Sequence, residues 1–119
     1  MADLTTEALD EIVARIVRVL NPEKIILFGS YARGEAGPDS DVDLAVIAET
    51  DQPRGKRALG IAWPLRHLHL PLEIVVYTPE EWEFHGQVST ALPAIIRRTG
   101  QVVYERKRSQ AAVGATLGS

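Results

Sequence analysis

Two short apolar runs, and what stands at their ends, constrain this chain most. The first, Lys24 to Phe28, stops at Gly29-Ser30; the second, Asp41 to Ala48, opens on Asp41-Val42-Asp43. Both runs have strand length, and alternate residues of a strand share a face. Asp41 and Asp43 therefore share a face with Ala45 and Ile47, while Val42, Leu44 and Val46 point the other way, toward a core. Two carboxylates about 5 Å apart repel by roughly 3 kcal/mol at an effective dielectric near 20. A divalent cation removes that cost, and Mg²⁺ typically takes one or two carboxylates plus phosphate oxygens. Seen alone, Asp39-Ser40-Asp41 after Gly37-Pro38 is equally ordinary turn composition.

Glu73 shifts that balance. It is the one charge inside Leu72-Glu73-Ile74-Val75-Val76-Tyr77, and in a central strand it would be buried at a cost unless paired or metal-bound. If this strand lies beside 41–48, Glu73 completes a three-carboxylate cluster; otherwise it is an edge-strand glutamate, paired with Arg66. Gly29-Ser30, after a strand, places N–H groups at the strand's carboxyl end, where they can seat a polyphosphate. A glycine there equally serves as a turn. The segment is not a P-loop, because Glu35-Ala36 occupies the positions that need lysine and serine or threonine. Arg33 either balances phosphate charge or is solvated, and Ser40 either caps its turn or touches the ligand.

Around these runs the pattern alternates between helix and strand. Leu9, Ile12, Val13, Ile16, Val17 and Leu20 recur at helical steps, giving an amphipathic helix from about Thr6 to Leu20, ended by Asn21-Pro22. Ser30 to Gly34 can start a short helix. Gly55 to Leu68 reads as a helix, weakened by Gly60 and bent or split at Pro64. Leu72 to Tyr77 is a strand, and Thr78-Pro79-Glu80-Glu81 carries a cap, an N-terminal proline and acids, the signature of a helix start. A final helix, Leu92 to Arg98, is followed by an edge strand, Gln101 to Tyr104. The expected architecture is α/β (α+β): a small mixed sheet of about four strands flanked by helices, one domain over 1–105 with a flexible tail over 106–119.

Composition excludes several classes. The chain has 119 residues and no cysteine, so disulfides and thiolate chemistry are absent and the cytoplasm is the expected compartment. No apolar run is long enough for a membrane, and Met1-Ala2-Asp3-Leu4 does not begin an export signal. Ten acids and four bases in residues 1–50 give way to six and nine in 51–119, with the late bases gathered in Arg97-Arg98 and Arg106-Lys107-Arg108. That is narrower than the basic face of a DNA or RNA binder, so the expected ligand is a nucleotide and not a long nucleic acid. His67 and His69 lack the further ligands of a zinc site. Trp63, Trp82 and Phe84 are expected in the core or an interface.

Taken in order, Ile25-Ile26-Leu27-Phe28-Gly29-Ser30-Tyr31-Ala32-Arg33-Gly34, Ser40-Asp41-Val42-Asp43-Leu44-Ala45-Val46 and Val75-Val76-Tyr77-Thr78-Pro79-Glu80-Glu81-Trp82 resemble a minimal nucleotidyltransferase of the DNA polymerase beta-like superfamily, over about residues 6–105. The resemblance implies that Asp41 and Asp43 hold two Mg²⁺ ions and Glu73 the catalytic one. Glu73 stands where bacterial relatives often have aspartate. Gly29 and Ser30 would hold the β- and γ-phosphates of ATP, with Arg33 and Ser40 as further nucleotide contacts. It also implies an antitoxin that transfers AMP to a tyrosine of a HEPN-type toxin, a partner that would supply the acceptor. Two other readings are a non-catalytic module that neutralises a toxin by contact, and an aminoglycoside-type small-molecule nucleotidyltransferase. Base preference, the number of groups transferred and the oligomeric state are not encoded legibly.

Overall fold

The computed structural model describes residues 4–107, so 108–119 of the expected tail lie outside the described residues. Helix α1 (Thr6–Leu20) is capped by Thr5, whose hydroxyl accepts from the Ala8 amide at 3.0 Å, and ends at Asn21 in the left-handed conformation. Strand β1 (Lys24–Phe28) follows, then β2 (Val42–Ile47), β3 (Leu72–Tyr77), helices α2 (Pro79–His85) and α3 (Leu92–Thr99), and β4 (Gln101–Glu105). The four strands lie in the order β3-β2-β1-β4. β1 is antiparallel to both β2 and β4, while β3 runs parallel to β2.

The sheet is covered on both faces. Ile12 and Ile16 of α1 are fully buried against Ile25, Val42, Leu44 and Val46; burying each such side chain contributes about 1.5–3 kcal/mol. On the other face Ile26, Ala45, Ile47 and Tyr77 pack with Trp82 of α2 and Ile96 of α3. The face that Asp43 shares is therefore apolar beyond its first turn of strand, which confines the charge to one end of the sheet.

Two expected helices are replaced by tighter turns. Ser30–Gly34 is a hydrogen-bonded turn, with Glu35 N donating to Ser30 O at 2.9 Å. The stretch 55–68 is split, but into 3₁₀ segments and not α-helix: Arg54–Lys56 and Trp63–Leu68, because Gly60 sits at φ +86° and Pro64 prevents a regular ladder. Trp82 joins the core as expected, but Trp63 and Phe84 are about 70 % exposed, and Arg66 stacks on the Trp63 ring at 4.1 Å. Among the described residues no helix is long and apolar enough to cross a membrane.

Segment 52–57 is clamped to the sheet by an arginine that no local pattern marks. The Arg57 guanidinium donates to Gln52 O at 2.9 Å, to Val76 O at 3.0 Å, and to both carboxylate oxygens of Glu81 at 2.7 and 3.2 Å. Glu81 also closes the capping box on Thr78. Hydrogen bonding from Arg57 holds the Glu81 carboxyl down to about 2, from 4.5. A lowered carboxyl pKa stabilises the fold above the unfolded value and loses that stabilisation as pH falls. Glu81→Gln is therefore expected to cost on the order of 1–3 kcal/mol at pH 7, since it strands a guanidinium whose side chain is only 9 % exposed. Thermal melts should show the gap to wild type narrowing as pH drops from 4.5 toward 2.

Candidate active site

The sheet register assembles the acidic cluster. Antiparallel pairing sets Phe28 of β1 opposite Asp43 of β2, and parallel pairing sets Asp43 opposite Glu73 of β3. Asp41 immediately precedes β2, two residues from Asp43 and so on the same side. One carboxylate oxygen from each of Asp41, Asp43 and Glu73 lies within 4.8 Å of the other two. Glu73 thus joins the aspartates, but not from a central strand. β3 is at the sheet edge and Glu73 is exposed, so its charge carries little desolvation cost; Arg66 turns instead to Trp63, its Nη1 donating to the Trp63 carbonyl at 2.8 Å.

Asp43 bears most of the strain of this arrangement. Partial burial, then the negative charges of Glu73 and Asp41, push its carboxyl above the ordinary value, and Arg33 opposes them. Three hard oxygen donors converging within 4.8 Å suit a divalent cation of the Mg²⁺ or Mn²⁺ type. His67, the other candidate ligand type nearby in sequence, lies apart from this cluster and pairs with Glu11 at 2.7 Å.

Gly29 follows Phe28 directly and so arrives beside Asp43. It has φ +76°, and a Cβ there would overlap the Asp43 carboxylate. Glycine is required twice over: by the backbone conformation and by the approach. In the turn that follows, Arg33 N donates to Gly29 O at 3.2 Å and Gly34 N to Tyr31 O at 3.3 Å. Among the described hydrogen bonds, the amides of Ser30, Tyr31 and Ala32 donate to no protein group. Three successive N–H groups without a protein acceptor, in the turn that starts beside Asp43, are donors available to an anion.

The remaining expected site residues divide. Arg33 is half exposed, close enough to Asp43 to oppose the rise in its pKa, and donates to Glu35 at 3.0 Å. Ser40 takes the capping role: its hydroxyl accepts from Gly37 N at 2.8 Å, closing the turn that delivers the chain to Asp41. Two contributors escaped the sequence reading. The collision course between position 29 and Asp43 depends on strand pairing, and so does the side chain of Gln101, which donates to Ala32 O at 2.8 Å across 69 residues.

The profile of the nucleotidyltransferase domain family matches residues 8–98. A protein of Methanocaldococcus jannaschii with an inferred assignment as a protein adenylyltransferase is 52% identical over 29 residues, which is 24% of this chain and 29% of that protein; the match thus spans less than a third of the relative's length. Among solved structures, an inferred nucleotidyltransferase of Sulfolobus solfataricus superposes with a TM-score of 0.58 at 17% identity, over 87% of this chain and 82% of that one. A mutant of the toxin-antitoxin MntA-HpeT gives 0.55 at 19% identity, covering 95% and 83%. A toxin-antitoxin with AMP-PNP gives 0.51 at 19%, also covering 95% and 83%. At these identities the structural likenesses speak for the fold.

Proposed function

We propose, because this chain belongs to the nucleotidyltransferase domain family, that it transfers AMP from ATP to a hydroxyl of a partner protein and is the antitoxin of a toxin–antitoxin pair. The observation that carries this reading is the convergence of Asp41, Asp43 and Glu73 beside the free amides of Ser30, Tyr31 and Ala32. The acceptor we assign is a tyrosine of a HEPN-type toxin. The toxin-antitoxin neighbours, one of them with AMP-PNP, support a toxin as partner and a nucleotide as donor, and the 29-residue match to an adenylyltransferase supports AMP as the group transferred.

In this reading Asp41 and Asp43 hold two Mg²⁺ ions and Glu73 one of the two. The bound metal supplies a lowered pKa for the attacking hydroxyl and neutralises charge that builds on the phosphate. The turn after β1 receives the β- and γ-phosphates on its amides, with Gly29 allowing the approach and Arg33 adding positive charge. The acceptor oxygen attacks the α-phosphorus, the bond to the bridging oxygen of the β-phosphate breaks, and pyrophosphate leaves. Glu73, exposed at the sheet edge, accepts the acceptor's proton directly or through water. Positioning and electrostatics account for most of such catalysis, which a small rigid sheet end can provide. The cysteine-free composition fits work in the cytoplasm.

The test is to incubate the chain with Mg²⁺-ATP and the product of its neighbouring gene, then weigh that partner intact. A gain of one or more AMP groups, absent with Asp41→Asn plus Asp43→Asn, is the expected result. Neutralisation that survives that double substitution, with no label ever transferred from ATP, would assign a contact-only antitoxin. Modification of an aminoglycoside without any partner protein would assign a small-molecule enzyme.

A further inference from the structure

We infer that Gln101 is a positioning residue for the phosphate-binding turn, an inference that rests on the nucleotidyl-transfer reading above. Gln101 opens β4, paired with Leu27 of β1, and its side chain reaches over the end of the sheet to the Ala32 carbonyl at 2.8 Å. The same peptide unit is held from its other side, since Arg33 N donates to Gly29 O. Ala32 and Tyr31 also pack their side chains on the core beneath α1. Among the described residues, Gln101 makes the one side-chain hydrogen bond that ties the 29–35 turn to another part of the chain.

Its position in the chain is set by Gly100. A Cβ there would meet Ile26 and the Leu27 carbonyl, so the chain can enter β4 tight against β1 only through glycine. This places the Gln101 amide within reach of the turn. Fixing the Ala32–Arg33 peptide fixes two things together: the direction of the three free amides that precede it, and the base of the Arg33 side chain beside Asp43. A turn that is ordered before the triphosphate arrives loses less entropy on binding it. Gln101 contributes no atom to the acidic cluster, so its effect should fall on nucleotide binding and leave metal binding untouched.

The experiment compares wild type, Gln101→Ala and Gln101→Glu, the last being the same size but without the donor. Three quantities are read: affinity for Mg²⁺-ATP by calorimetry, affinity for Mn²⁺ alone by electron paramagnetic resonance, and amide exchange over residues 29–35. Loss of one hydrogen bond of this kind is expected to weaken Mg²⁺-ATP binding about 3- to 10-fold, more for Gln101→Glu, with faster exchange in the turn. Mn²⁺ affinity and melting temperature should hold, because Gln101 is exposed. Unchanged ATP affinity would overturn the inference. So would a loss shared equally by ATP, Mn²⁺ and thermal stability, which would make Gln101 a general structural residue. Wild-type protein that binds Mn²⁺ but no nucleotide would instead remove the reading of the site, and the inference with it.

Discussion

Asp43→Asn should leave the protein inactive and more stable. The side chain sits between Asp41 and Glu73, where burial and both neighbours push its carboxyl above the ordinary value. A raised carboxyl pKa means that the folded state disfavours the charge: no penalty exists at low pH, and it sets in as pH rises through the carboxylate range. Asparagine removes the penalty, and no described hydrogen bond is lost, since the Asp43 carboxylate accepts none. The melting temperature without metal should therefore rise by a few degrees at pH 7, and the gap should close toward pH 3. Transfer, in contrast, should fall by roughly 10³-fold or more, because a charge proposed to hold the metal is gone. Added Mg²⁺ should raise the melting temperature of wild type and barely move the variant. Calorimetry with and without Mg²⁺, beside a transfer assay, checks all three.

Among the described glycines, Gly29→Ala should be the most damaging added methyl group. Two independent costs coincide. The left-handed backbone at φ +76° costs an alanine roughly 1–2 kcal/mol, and the added Cβ overlaps the Asp43 carboxylate. Either the turn or the carboxylate must move. A displacement of about 1 Å in such a site can cost 10²-fold in rate. Gly34→Ala separates the two effects. Its φ is +71° but nothing lies within 4 Å of its Cβ position, so it carries the backbone strain without the collision. Both variants should lose similar backbone stability. Gly29→Ala alone should lose about two further orders of magnitude in kcat/KM and should weaken Mn²⁺ binding.

The sheet and most of the helices were legible because their signals are local. The heptad-like steps of Leu9 to Leu20, the Thr78 cap and the strand-length apolar runs each determine their own element. In the stretch 55–68 Gly60 and Pro64 mark where the chain breaks, but the apolar residues around them mimic an α-helix where the chain forms 3₁₀ pieces. Asp41 and Asp43 announced themselves by alternation. The partnership of Glu73 needed one guess, that its strand lies beside theirs, and the parallel register of β2 and β3 supplies it. Glu73 escapes the burial that a central strand would impose, because the crossover leaves β3 at the edge. Arg57 and Gln101 had no signal at all, since each acts through partners 24 and 69 residues away.

In the proposed function Asp41, Asp43 and Glu73 jointly hold divalent metal beside the turn that receives the triphosphate. Electron paramagnetic resonance of Mn²⁺ titrated with a non-hydrolysable ATP analogue tests it most directly. Two bound, magnetically coupled ions are expected in wild type, with loss of both in Asp41→Asn plus Asp43→Asn and loss of one in Glu73→Gln. Binding that is absent from wild type, or that survives the double substitution unchanged, would contradict it.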